Sequence, residues 1–198
     1  MTELFESKAL FAGLAIALTF AMYVPYSRSI LRGATRPHVF SWIIWGGGTI
    51  IVFFAQLADG AGLGAWPIGV SGLITCAIAY LAFLKAGDRS IVAVDWVFLC
   101  LAAMAVPLWG LTSNALSAVI VLTTVDLLGF GPSFRKAYSA PYEDSVLFFS
   151  LSVLRNALVL IALEAVNWTT ALFPAAVGAA CLMFVAWLLV RRRALRAA

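Results

Sequence analysis

The sequence predicts an all-α integral membrane protein of seven transmembrane helices, arranged as two parallel three-helix repeats joined by a linker helix (3+1+3). Three observations predict it. Of the 198 residues, 64% are hydrophobic and only 11% charged, and a mean hydropathy of +1.02 lies outside the range of soluble domains. Apolar windows close to the roughly 20 residues that cross a bilayer recur along the chain. Prolines and aromatics then repeat at a constant offset.

The windows are Ala9–Ile30, Val39–Ala58, Trp66–Leu84, Ile91–Leu108, Asn114–Phe130, Ser145–Leu163 and Thr169–Val190. The first follows Glu3, Glu6 and Lys8 rather than a basic segment, so no removable signal peptide is expected. With the N-terminus on one side, the other side receives Arg28, Arg32, Arg36, Lys85, Arg89, Arg135, Lys136, Arg191, Arg192, Arg193 and Arg196, out of 13 Lys and Arg in all. The positive-inside rule makes that side cytoplasmic. The expected location is the bacterial inner (plasma) membrane, N-terminus outside and C-terminus inside, with Trp66, Trp109 and Trp168 at the outer interface. The net charge of +4 therefore reads as topology, with membrane lipid as partner and no nucleic acid.

Pro25 pairs with Pro132, Pro67 with Pro174, Arg28 with Arg135, Trp66 with Phe173 and Tyr80 with Trp187 at an offset of 107, while Pro37 pairs with Pro141, Ser41 with Ser145 and Trp45 with Phe149 at 104. A short slip confined to a loop is what two copies of one unit show. Residues 1–90 form the first repeat, 91–111 the linker helix and 112–198 the second repeat. An odd number of spans per unit needs one extra crossing to keep the copies parallel, with an axis along the membrane normal.

The stretch VPYSRSILRGATRPHVFSWIIW, Val24 to Trp45, resembles the PQ-loop signature of the SWEET, PQ-loop and PnuC-like transporter superfamily, and GPSFRKAYSAPYEDSVLFF resembles it again. Tyr26 and Ser133 stand where the signature has Gln, so the subfamily is open. The resemblance implies a small-molecule transporter with a central pathway between two bundles.

Several residues are candidates for that work. Pro25 and Pro132 either hinge the first and fifth spans or end them. On the sixth span, Ser145, Phe149, Ser152 and Asn156 share one face, and Ser41, Trp45, Gly48, Val52 and Gln56 share the matching face of the second. Mixed aromatics and polar groups suit a small polar ligand, and Trp45, Asn156, Ser152, Phe149, Gln56 and Ser41 are the candidate ligand-binding residues. The alternative is close helix packing through small residues. By helical rise, Asp126 lies about 20 Å below the outer end of its span and Arg155 about 15 Å above the inner end of its own. They are a candidate intramembrane charge pair, read either as a structural lock or as a site for an anionic ligand or a proton. Asp95, Gln56 and Glu164 are expected nearer the interfaces, within reach of water.

Cys76, Cys100 and Cys181 lie singly in apolar spans and read as buried packing residues, not as a disulfide or metal set. His38 is the only histidine, which excludes a multi-histidine metal site. Gly46–Gly48 permits close backbone approach and is no phosphate loop. Arg191–Arg196 reads as a topology anchor. No cofactor and no catalytic residue is expected, since HExxH, GxSxG and paired Cys-His patterns are missing.

The function expected is transport or facilitated passage of a small polar solute, such as a sugar, vitamin or nucleoside, by alternating access between two bundles. The alternative is a seven-helix receptor, sensor or accessory subunit. A retinal-binding version is disfavoured because Lys8, Lys85 and Lys136 all lie near span boundaries. A homo-oligomer is left open.

Overall fold

The computed structural model describes residues 2–33, 37, 39–85, 93–139, 141–142 and 144–197. Arg36, His38, Arg89 and Ile91 lie outside the described residues, as do the side chains of Glu3, Pro132, Arg135 and Lys136.

Among the described residues the chain is all-helical: α1 (Thr2–Leu31), α2 (Val39–Ala58), a 3-10 turn (Gly62–Ala65), α3 (Trp66–Leu84), α4 (Ala93–Thr112), α5 (Ala115–Leu128), α6 (Phe130–Ser139), α7 (Val146–Ala162) and α8 (Trp168–Ala197). Five helices are long and apolar enough to cross a membrane, and α5 and α7 are shorter apolar helices. Local chemistry sets several ends. Gly33, at φ 72°, closes α1, Pro67 sits in the first turn of α3, and Asn114 Oδ1 caps α5 by accepting from Leu116 N at 2.9 Å. Ser145 Oγ caps α7 by accepting from Phe148 N at 3.2 Å. Each cap supplies an acceptor to backbone N–H groups that the first helical turn leaves free.

One alternative is decided and one boundary differs from the sequence expectation. Helix α1 runs unbroken past Pro25 to Leu31, so that proline does not end it. The connection between the Asn114–Phe130 and Ser145–Leu163 windows contains helix α6. Gly129 separates α6 from α5, its N–H still reaching Val125 O and Asp126 O at 3.2 and 3.1 Å. Pro132 has no N–H to return to the carbonyl of Leu128, which is where continuous α-helix would fail.

Helix α3 packs on α1 and α2, and α8 packs on α5 and α7. Across the middle, α1 meets α7 and α2 meets α5. Helix α4 lies at the edge against α5 and α2, burying only Asp95, Ala102 and Ala105. The main core gathers Val52, Ile68, Ala105, Val119 and Val159 from five helices. A smaller one holds Ala137, Phe184 and Leu188 at the end of the bundle that carries the basic residues.

The outward faces are apolar as well, with Leu10, Leu73, Met104, Leu111 and Leu182 all exposed. Helices apolar all round belong in lipid. Cys76 and Cys100 are on such exposed faces, contrary to the expectation of burial, whereas Cys181 is buried. Gly46 does allow close approach: a Cβ there would lie 2.7 Å from Cys76 Sγ and 3.0 Å from its backbone nitrogen.

Candidate functional site: a central cavity closed at one end

A cavity of about 730 Å³ lies between the helices, lined from every helix except α4. At the basic end it reaches Tyr26, Asp144 and Ser145, and Ser145 is exposed. Inward it extends to Ser71, Thr75, Arg155, Asn156 and Phe173, all buried.

Aromatic rings form its wall. Tyr26 stacks on Trp42 at 5.2 Å, and Trp42 meets Trp45 edge-on at 5.8 Å. Tyr23 bridges Trp42 to Phe148 at 6.4 and 6.1 Å, and Phe148 continues to Phe149 at 5.3 Å. Such T-shaped and offset pairs let ring edges meet ring faces. The result is a rigid arc running from α2 through α1 to α7.

Polar groups stand deeper. Asn156 Nδ2 donates to Ser152 O at 2.8 Å, leaving its Oδ1 to accept from Arg155 Nη1 at 3.2 Å. Arg155 Nε donates to Thr19 Oγ1 at 3.3 Å, and Nη2 to the carbonyl of Pro67 at 2.7 Å. One guanidinium thus ties α7 to α1 and to the start of α3.

The far end is closed by contacts between the α2–α3 connection and the α7–α8 connection. Gln56 Nε2 donates to Thr170 O at 2.7 Å, Leu63 N to Glu164 Oε1 at 2.9 Å, and Glu164 N to Ala61 O at 3.0 Å. Ala165 N reaches Gly60 O at 3.1 Å, and Lys8 Nζ caps the carbonyl of Leu163. Gly64 presses so close that a Cβ would lie 2.7 Å from the Leu163 backbone. At the basic end Arg191 and Arg192 hold neighbouring backbone. Arg191 Nη2 donates to Tyr138 O at 2.8 Å and Arg192 Nη2 to Asp144 O at 2.7 Å, fastening α8 to the end of α6 and to the α6–α7 connection.

Of the candidate ligand-binding residues, Trp45, Phe149, Ser152 and Asn156 line the cavity; Ser41 and Gln56 do not. The stripe expected at the start of and along α7, Ser145, Phe149, Ser152 and Asn156, lines the cavity, joined there by Leu147, Phe148, Leu151 and Arg155. The stripe on α2 is Trp42, Trp45 and Thr49, which keeps Trp45 and is rotated from the expected face by roughly 50°, about half a residue. Gln56 is 0% exposed and belongs to the far-end seam; like Asp95 it is buried rather than near water. Glu164 is exposed, as expected.

Asp126 and Arg155 both line the cavity, but no salt bridge joins them. The cause is packing: α7 lies on α8 and α1, while α5 lies on α4, α8 and α2. Arg155 therefore finds Thr19. Pro25 also lines the cavity. Sequence reasoning missed Tyr23, Tyr26, Trp42, Phe148 and Cys181; the density of aromatics around the first basic corner was the available signal. Among the described residues no group of three His, Cys, Asp or Glu side chains comes together. No family model, curated protein or solved structure matches this chain, so a functional reading rests on the cavity itself.

Proposed function

We propose that the chain is a membrane transporter or facilitator of a small polar solute, working by alternating access between two three-helix units joined by α4. The first unit is α1–α3; the second is the kinked α5–α6 span with α7 and α8. The observation that carries the reading is a cavity between the units that reaches one end of the bundle while hydrogen bonds seal the other.

The packing supports it: contacts α1·α3 and α2·α3 are matched by α5·α8 and α7·α8, and the crossing α1·α7 by α2·α5. Residues in one register meet around the cavity, with Met22 and Gly129, Tyr23 and Phe130, Tyr26 and Ser133, and Trp45 and Phe149 all lining it. Such an arrangement fits the SWEET and PQ-loop class that the two basic corners resemble. On this reading the basic end is cytoplasmic, the cavity faces inward, and Pro25 with Pro132 lets the helix ends swing while the midplane holds the solute.

The test is thermal stabilisation of the purified chain by a panel of sugars, nucleosides, vitamins and amino acids, followed by uptake of any stabilising solute into liposomes. Stabilisation that Trp45→Ala and Asn156→Ala both abolish, together with uptake, supports the proposal. A solute that binds unaffected by either variant moves the site elsewhere. A folded chain that takes up none of the panel refutes transport of these solutes.

A further inference from the structure

Arg155 is 6% exposed and lines the cavity. A guanidinium carries five N–H donors, and here Nε, one Nη1 hydrogen and one Nη2 hydrogen are seated on a hydroxyl, an amide oxygen and a backbone carbonyl. None of these partners is charged. Two N–H groups are left, one on each Nη, and a guanidinium is the side chain best suited to pairing with a carboxylate.

Asp126 lines the same cavity from α5, and its carboxyl group takes no hydrogen bond or ion pair from the described residues. Cys181 of α8 lines the same cavity as Asp126 and Arg155. A membrane interior tolerates an ionisable side chain when something pairs with it. Here the cavity holds one guanidinium and one carboxyl group that no salt bridge joins.

We infer that the cavity takes a zwitterion, an amino acid whose carboxylate meets the two free N–H groups of Arg155 and whose ammonium faces Asp126. Its apolar remainder lies against Trp45 and Phe149. A neutral sugar would leave both charges unpaired, and a simple anion or cation would satisfy one of them. The inference rests on the transport reading above and narrows its solute class.

The experiment measures thermal unfolding of the purified chain by light scattering with the 20 standard amino acids, β-alanine, γ-aminobutyrate, glucose and uridine as probes. The best-binding amino acid is then compared with its methyl ester, which keeps only the ammonium, and its N-acetyl derivative, which keeps only the carboxylate. Each derivative is expected to bind about tenfold more weakly or worse, the loss of one charge-assisted contact. In Asp126→Asn the N-acetyl derivative should bind as it does to the parent chain, while the amino acid loses its advantage. Comparing derivatives on the unaltered chain keeps the test sound even if Asp126→Asn fails to fold. An N-acetyl derivative or ester equal to its parent amino acid overturns the inference. Binding of glucose or uridine with no amino acid overturns it but leaves the transport reading standing, whereas a folded chain that binds no probe counts against both.

Discussion

Arg155 Nε donates to Thr19 Oγ1 at 3.3 Å across the α1–α7 crossing. Thr19 stands 107 residues before Asp126, the offset that relates the two basic corners. Thr19 offers Arg155 a neutral acceptor, and none of the three groups that seat the guanidinium is a carboxylate. The charges therefore face a shared cavity instead of each other.

Replacing Arg155 should separate stability from function. Arg155→Met gives up three hydrogen bonds to neutral partners but also removes a buried charge that has no counterion, and these effects oppose each other. Thermal stability is expected to change by less than about 1 kcal/mol, while solute uptake falls about tenfold or more. Loss of both together would show that the guanidinium is structural.

Gly64→Ala should force the far-end seam open. The added Cβ would meet the backbone of Leu163, which cannot rotate aside, and overpacking of this kind costs about 1–3 kcal/mol. An Ala61→Cys probe, fully buried in the parent, should then react with a membrane-impermeant maleimide. No gain in labelling would mean that the seam accommodates the methyl elsewhere.

Gln56 tests the same seam by chemistry. Its Nε2 is satisfied by Thr170 O, but its buried Oε1 has no partner. Gln56→Met removes both groups at similar volume and should cost about 1 kcal/mol. Gln56→Glu puts an acceptor or a charge against a carbonyl and should cost several times more. Thermal unfolding of the pair checks the order.

Asn114→Ala removes the cap of α5 at an exposed turn. About 1 kcal/mol of stability should be lost, with uptake unchanged because Asn114 does not line the cavity. A change in uptake would couple the α4–α5 turn to the transport cycle.

Pro25→Ala, alone and with Pro132→Ala, should leave the melting temperature near that of the parent and slow uptake. The basis is that α1 already continues through Pro25, so alanine restores a helical hydrogen bond without altering the path of the chain. Uptake equal to the parent in the double variant would remove the hinge.

Helix bounds were legible where punctuation is strong. Val39–Ala58 and Trp66–Leu84 are the structural bounds of α2 and α3, because Pro, Gly and charged residues flank apolar runs of bilayer length. Helix α6 was hidden because Gly129, Gly131 and Pro132 read as turn residues. What holds it is tertiary packing, with Phe134 on Phe184 at 5.0 Å and on Trp187 at 6.1 Å. Rise per residue places Asp126 and Arg155 along their helices, and both line the cavity. Rotation was not readable, since α2 is apolar on nearly every side and its cavity face depends on where α1, α3 and α5 dock.

The three acceptors that seat Arg155 differ in when they are made. Thr19 and Pro67 precede it by 136 and 88 residues, and Asn156 is its immediate neighbour. Ribosomal synthesis therefore lays down α1 and α3 before the charged helix emerges. If α7 enters lipid by docking on partners already inserted, a chain synthesised without α1 should insert α7 poorly, and glycosylation-site mapping of its ends would show the failure. The late-arriving charge then makes the order of biogenesis part of what the early helices encode.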